Sequence, residues 1–244
     1  MNLPSRREEG SLKVAKQLNL SLFRIFNPEE GKVNAREKRV CGWQIQPVYS
    51  IELHIKDLSL LYSIQQFFGV GRIKFRGNRL SAIYYVASLS DLINVIIPHF
   101  IKYPLLTQKS ADFFLFKMVV ELMRKKEHLT IEGLTKVINI RASMNKGLTD
   151  ILKFNFPNFT PVNRPIISLP AILEPYWVLG FCDGESNFSI NIFQSKTHSI
   201  GFQVQLKFRV TQHNRDLLLL NKLIEFFNCG QIEQINTRHV ADFI

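Results

Sequence analysis

Acidic residues are few in this chain of 244: 20 Asp and Glu stand against 31 Lys and Arg, a formal net charge of +11 at pH 7. The shortage argues for a polyanionic partner, because Lys and Arg near phosphates release condensed counterions. Cysteine is scarcer still, and Cys41, Cys182 and Cys229 lie far apart. They show no paired ligand spacing, which excludes a zinc finger or ribbon, and an odd number without a secretory leader points to reduced thiols. No apolar run approaches the roughly 20 residues of a membrane helix. The longest, Leu92–Ile97 and Leu217–Leu220, are of helix-core length, so no membrane partner is expected. Lys and Arg near the N-terminus are accompanied by Glu8 and Glu9, which argues against a transit peptide. Helix-turn-helix spacing is missing too.

Apolar residues are plentiful, at 46%, which is the composition of a globular chain. The 20 Phe, with abundant Ile, Asn and Lys, are what an A+T-rich coding sequence gives. That points to an organelle genome, the mitochondrion first and the chloroplast as the alternative. The chain also contains a long repeat. Gly42–Ile73 (GWQIQPVYSIELHIKDLSLLYSIQQFFGVGRI) returns without a gap as Gly201–Ile232 (GFQVQLKFRVTQHNRDLLLLNKLIEFFNCGQI), with 12 identities in 32 positions and a period of 201 − 42 = 159 residues. A period of that size means two domain-sized lobes rather than a solenoid, and predicts two halves related by a pseudo-twofold axis.

Each copy begins with period-two alternation, the mark of a strand with one face on a core. In the second copy Phe202, Val204, Leu206, Phe208 and Val210 alternate with Gln203, Gln205, Lys207, Arg209 and Thr211. In the first, Trp43, Ile45, Tyr49, Ile51 and Leu53 alternate with Gln44, Gln46, Ser50, Glu52 and His54. Asp57 and Asp216 then stand where a helix starts, and a Gly-containing turn leads to another strand. The first lobe continues through a hairpin, Ile73–Ala87, whose first strand carries Arg72, Lys74 and Arg76 around its start. Helices are predicted at 89–100, 109–126 and 130–144. Five of the ten prolines fall between Pro157 and Pro175, so that stretch reads as a linker. His54 and His213 match in the repeat but have no metal-ligand company, so a structural role or phosphate contact is expected of them rather than catalysis.

WVLGFCDGESNFSI, Trp177–Ile190, follows the linker. A short helix with Gly180 on one face ends in Asp183 and Glu185 around Gly184. It runs into a strand with Phe188, Ile190 and Ile192 expected inward and Asn187, Ser189 and Asn191 outward. A small residue lets a second helix approach closely, and a carboxylate at the helix end is delivered to the floor of the sheet, where a hard cation such as Mg²⁺ would be held.

The segment resembles the signature of the LAGLIDADG homing endonucleases, with Val178–Ser186 in the nine motif positions; MNKGL (Met144–Leu148), KYPLLTQKSADF (Lys102–Phe113) and KEHLTIEGL (Lys126–Leu134) extend the likeness. The resemblance implies an α+β fold of two αββαββα lobes with saddle-shaped antiparallel sheets over the major groove of double-stranded DNA. It implies Mg²⁺-dependent cleavage at a long asymmetric site by a monomer, with Glu185 as metal-binding catalytic acid. It implies DNA contacts from Gln44, Gln46, Arg72, Lys74, Arg76, Asn187, Ser189, Asn191, Gln203, Gln205, Lys207 and Arg209.

The chain departs from that pattern at both ends. The repeat offset carries Glu185 onto Phe26, with no acid in 23–27, and only Arg7–Ser11, with Glu9, echoes the end of a first motif. Ile244 corresponds to Tyr85, in mid-strand. The expected organisation is therefore 1–41 without a clear first motif, 42–150 a first lobe, 151–175 the linker and 176–244 a truncated second lobe. Uncovered apolar sheet costs about 25 cal/mol per Å², which predicts a low melting midpoint. One acid predicts binding without cutting, or a nick. The alternatives are a maturase acting on its own intron RNA and a DNA-binding remnant without catalysis.

Overall fold

The computed structural model describes residues 24–26, 42–77 and 79–244, and the repeat runs through it element by element. The stretch around Glu9 and Cys41 lie outside those residues. The chain divides into two units, one holding Gln17–Ile167 and the other Ser168–Ile244. No helix among the described residues is long and apolar enough to cross a membrane.

In the first unit the alternating segment forms two strands, β2 (Gln44–Gln46) and β3 (Tyr49–His54), rather than one. Pro47 is the reason, since it has no N–H to give to a ladder. β2 pairs antiparallel with β1 (Arg24–Phe26), and β3 joins β5 (Ser81–Val86) and β4 (Arg72–Arg76) in the order β3-β5-β4. In the second unit Leu206 occupies the proline's place, and β7 runs unbroken from Phe202 to His213. Its sheet, with β6 (Ser186–Gln194), β8 (Ile232–Ile235) and β9 (Val240–Phe243), is ordered β6-β7-β9-β8. The two units therefore share one strand order.

The helix after each long strand begins as predicted but not by the expected cap. Asp57 and Asp216 make no side-chain cap bond. A 3₁₀ turn precedes the helix, and His54 Nδ1 accepts from the Lys56 N–H at 3.2 Å, as His213 Nδ1 does from Arg215 at 3.2 Å. Both histidines are caps. The helices themselves, α1 (Leu58–Phe68) and its counterpart at Leu217–Phe227, end in left-handed Gly69 and Asn228. Gly71 and Gly230 follow at φ +87° and +93°, where a Cβ would meet a ring carbon of Tyr84 at 2.6 Å or of Phe243 at 2.5 Å.

The first unit completes itself with helices at Leu89–Lys102 (α2, with a π-helical turn at Leu92–Ile96 ahead of Pro98), Lys109–Arg124 (α3), Ile131–Ala142 (α4) and Asp150–Asn155 (α5). α5 occupies the first part of the segment expected as linker. Tyr49, Ile51, Tyr84, Phe116 and Ile138 are fully buried. Arg164, from the proline-rich stretch, reaches buried Asp112 at 2.8 Å and donates to the Ser143 and Gln108 carbonyls, each at 2.8 Å. Asp112 also accepts from the Asn145 N–H at 3.0 Å. That end of the linker is tied down.

In the second unit α6 (Pro175–Glu185) leads straight into β6, and α7 (Leu217–Phe227) packs Leu219, Leu220 and Leu223 on β7 and β9. The expectation that Phe188, Ile190 and Ile192 point into a core is corrected here. Phe188 is 81% and Leu206 78% exposed, with Ile190, Ile192 and Val204 also open. α7 covers the half of the apolar face around Val210, Ala241 and Phe243, and none of the described residues covers the rest. In the first unit Ile45, at the place of Val204, is buried, and Trp43 packs against Phe156 at 5.2 Å.

Candidate functional site

α6 is built to deliver its last residue. The Glu174 carboxylate accepts from the Trp177 N–H at 2.8 Å, and Pro175 sits in the first turn, where its missing N–H costs nothing. Trp177 stacks on Phe181 with centroids 4.9 Å apart, and Val178, Gly180 and Phe181 are buried. Ser186 leaves the helix at φ −94°, ψ 160°, its N–H on the Cys182 carbonyl, and the strand starts there. Glu185 is thereby held half-buried at the junction of helix and sheet, while Asp183 is exposed. Burial pushes the Cys182 thiol up, which disfavours a thiolate nucleophile.

No group of three or more His, Cys, Asp or Glu among the described residues could hold a metal ion. That excludes a zinc-type cage from them. Glu185 offers a single carboxylate, and a hard divalent cation held there would draw its remaining oxygens from phosphate and water. The carbonyls at a helix C-terminus add negative potential where Glu185 sits.

The polar face of β6 and β7 is a lattice of cross-strand pairs. Asn187 stands opposite Arg209, Ser189 opposite Lys207, Asn191 opposite Gln205, and Gln203 opposite Phe193. Phe193, 51% exposed, interrupts an otherwise polar face. Arg209 Nη1 lies 3.6 Å from Asp242 Oδ2, and the Thr211 hydroxyl donates to Asp242 Oδ1 at 2.5 Å.

The first unit has its own polar face. Arg72, Lys74 and Arg76 stand opposite Tyr85, Ile83 and Ser81. Arg76 Nε is 3.5 Å from Glu52 Oε2, and the Ser81 hydroxyl donates to Glu52 Oε1 at 2.7 Å. Gln44 and Gln46 lie apart from these on the two-stranded sheet, half-buried about Ile45; Gln44 Oε1 is buried without a hydrogen-bond partner among the described residues. Glu185 thus shares a unit with the β6 and β7 residues, and Arg72, Lys74 and Arg76 form a second group. Sequence reasoning missed Glu52, Ser81, Thr211 and Asp242. Glu52 and Thr211 stand in the outward phase of the alternation, but which strand lies beside them is set by the sheet order.

A family model described as LAGLIDADG endonuclease matches residues 30–120 and 178–244. "Probable intron-encoded endonuclease 3" of Neurospora crassa is 45% identical over 202 residues, 82% of this chain and 38% of that protein. "Probable intron-encoded endonuclease 2" of the same fungus is 39% identical over 244 residues, 93% of this chain and 52% of that protein. The chain thus spans about half or less of these curated relatives. Among solved structures, the I-SmaMI LAGLIDADG homing endonuclease bound to cleaved DNA is 35% identical with a TM-score of 0.84, covering 99% of this chain and 77% of that one. Another structure of I-SmaMI, with a TM-score of 0.84, holds uncleaved DNA target in the presence of calcium ions.

Proposed function

This chain belongs to the LAGLIDADG endonuclease family, and we propose that it recognises a long, asymmetric double-stranded DNA site and hydrolyses a phosphodiester there with Mg²⁺. The observation that carries this reading is Glu185, fixed at the end of the motif helix beside a polar sheet face bearing Lys207 and Arg209. The cation, when bound, supplies Lewis acidity and an activated water. Glu185 would hold it. Lys207, with Arg72 and Lys74 of the other unit, would neutralise phosphates, while the amides of Asn187, Asn191, Gln203 and Gln205 offer donor and acceptor pairs to base edges. Gln44 and Gln46 join that set from β2. The two polar faces carry different side chains, so an asymmetric target follows. A monomer suffices, because one chain holds both sheets.

Glu185 alone supports a nick in one strand. The relatives' names favour DNA cleavage over the maturase alternative acting on intron RNA. Fungal intron-encoded relatives and the A+T-rich composition together support a mitochondrial gene. The test is Glu185→Gln, assayed on a duplex spanning the intronless insertion site of the host gene. Binding is expected to persist while Mg²⁺-dependent product disappears. Unchanged cleavage would remove Glu185 from the mechanism, and binding with no Mg²⁺-dependent product even from the unaltered chain would mark a DNA-binding remnant.

A further inference from the structure

Each unit sets one carboxylate well into its polar sheet face, among basic residues and, in the second unit, beside the exposed Glu233 that pairs across the ladder with Asp242. Asp242 is 3% exposed, and Glu52 is half-buried. A carboxylate there opposes the approach of a phosphate backbone, so its presence needs a reason. The repeat supplies an independent one. Glu52 pairs across the ladder with Ile83, and Thr211 with Asp242. Under the 159-residue offset these are the same cross-strand pair, since 52 + 159 = 211 and 83 + 159 = 242. The carboxylate has changed strand between the copies and kept its place in the sheet.

Its company is also retained by different residues. A hydroxyl donates to each carboxylate, Ser81 to Glu52 at 2.7 Å and Thr211 to Asp242 at 2.5 Å. An arginine lies against each, Arg76 at 3.5 Å and Arg209 at 3.6 Å. Both arginines leave more than a third of the side chain open, 39% and 38%, and the buried Nε of each makes no hydrogen bond among the described residues, Arg76 Nε having only its ion-pair contact with Glu52. Hydroxyl, carboxylate and guanidinium form a chain: the first fixes the second, and the second steers the third while most of its five donors stay unspent.

Building on the DNA-recognition reading above, we propose that Glu52 and Asp242 are positioning residues that aim Arg76 and Arg209 at base edges rather than phosphates. A guanidinium paired with a carboxylate carries little net charge, so it adds little to counterion release. Its fork still matches the two acceptors of a guanine edge, a pairing lost when the fork is free to swing. Lys207, Lys74 and Arg72 have no such carboxylate partner among the described residues and supply the phosphate contacts. The arginines come from β4 in one unit and β7 in the other, so the two units read at different offsets.

The test selects binders from a randomised duplex pool with the 244-residue chain in calcium ions, and compares base preference by position among variants. Asp242→Asn is expected to lose preference at the one or two positions that Arg209→Ala loses, with discrimination falling on the order of tenfold. The double variant is expected to be no worse than Arg209→Ala alone. Glu52→Gln and Arg76→Ala repeat the pattern at other positions, and carry the test should Asp242→Asn fail to fold. Lys207→Ala, by contrast, lowers affinity for all sequences alike and reduces the salt dependence by about one counterion. Carboxylate variants with the unaltered preference profile, or with a uniform loss of affinity like that of Lys207→Ala, overturn the proposal. If the unaltered chain selects no sequence at all, the DNA-recognition reading itself fails and this inference with it.

Discussion

Arg164→Ala is expected to destabilise the Gln17–Ile167 unit by about 4–5 kcal/mol. Asp112 is 5% exposed, and its Oδ1 is held by Arg164 Nη1 at 2.8 Å and by the Asn145 N–H at 3.0 Å. Removing one partner of a buried pair costs about 3–5 kcal/mol, because the remaining charge stays desolvated. Arg164 keeps 29% of its side chain in solvent, which moves the pair toward the lower end of that range. The Ser143 and Gln108 carbonyls each lose a 2.8 Å donor as well, at about 0.5–1 kcal/mol apiece after water replaces it. Urea unfolding reads this directly. Trp43 lies in the same unit, against Phe156, and Trp177 lies in the other, so a Trp177→Phe background makes tryptophan fluorescence specific. Adding Asp112→Asn to Arg164→Ala is expected to restore about 2 kcal/mol, since it removes the stranded charge. A loss below about 1 kcal/mol for Arg164→Ala, or strict additivity in the pair, would refute the assignment of a buried, coupled ion pair.

His99 sits among the rings of Phe67, Phe68, Phe100 and Tyr103 at 4.9–5.6 Å, and burial, with Lys102 adding to it, lowers its pKa to about 4. The unfolded chain binds a proton near pH 6.5 that the folded chain refuses, so stability is intact above about pH 6.5 and falls as pH drops toward 4. The full separation is worth about 3 kcal/mol, and partial exposure discounts it to about 2; His99→Phe is expected to abolish that share of the acid sensitivity, and parallel urea midpoints for variant and parent between about pH 7.5 and about pH 4.5 would count against it. The bare apolar stripe gives the opposite kind of expectation: Phe188→Ser with Leu206→Thr changes stability by no more than about 0.5 kcal/mol, because both side chains already face solvent, but lowers light scattering of concentrated protein. A melting midpoint several degrees lower would mean the stripe is covered in solution.

Much of the fold is legible in the sequence because it rests on local rules. The alternation from Phe202, the helix after Asp216, the turn at Gly69–Gly71 and the strand following WVLGFCDGE all follow from period and turn chemistry, and the structure has each of them. The misses have a common cause. Pro47 interrupts a pattern whose alternation continues across it, so hydrophobic phase alone reads one strand where the backbone makes two. The inward direction expected of Phe188, Ile190 and Ile192 rests on phase, yet phase tells which residues share a face and not whether anything covers it. The Arg164–Asp112 contact joins residues 52 apart, and the Asp242–Arg209 contact depends on β9 inserting between β7 and β8. Neither distance leaves a periodic trace.

The two copies of the repeat also separate what the scaffold requires from what a target requires. The retained features are backbone devices: a histidine accepting from the N–H two residues on, a left-handed residue closing the helix, and a glycine whose Cβ would strike an aromatic ring. Each is set by local geometry that would cost stability to lose, whatever the sheet is used for. On the polar faces Gln44 and Gln46 return as Gln203 and Gln205, but the charged positions are not retained by identity. Ser50 has become Arg209, Lys74 has become Glu233 and Arg76 has become Ile235, while the strand order that presents them is unchanged. If those faces were merely solvated, either copy could have drifted without constraint, and no feature should have been rebuilt from new residues. The carboxylate at the 52/83 and 211/242 pair, with its hydroxyl and its arginine, has been rebuilt. A surface that changes its charged letters but restores a charged geometry is one on which that geometry is used, and two different letterings on one scaffold agree with the asymmetric duplex proposed above.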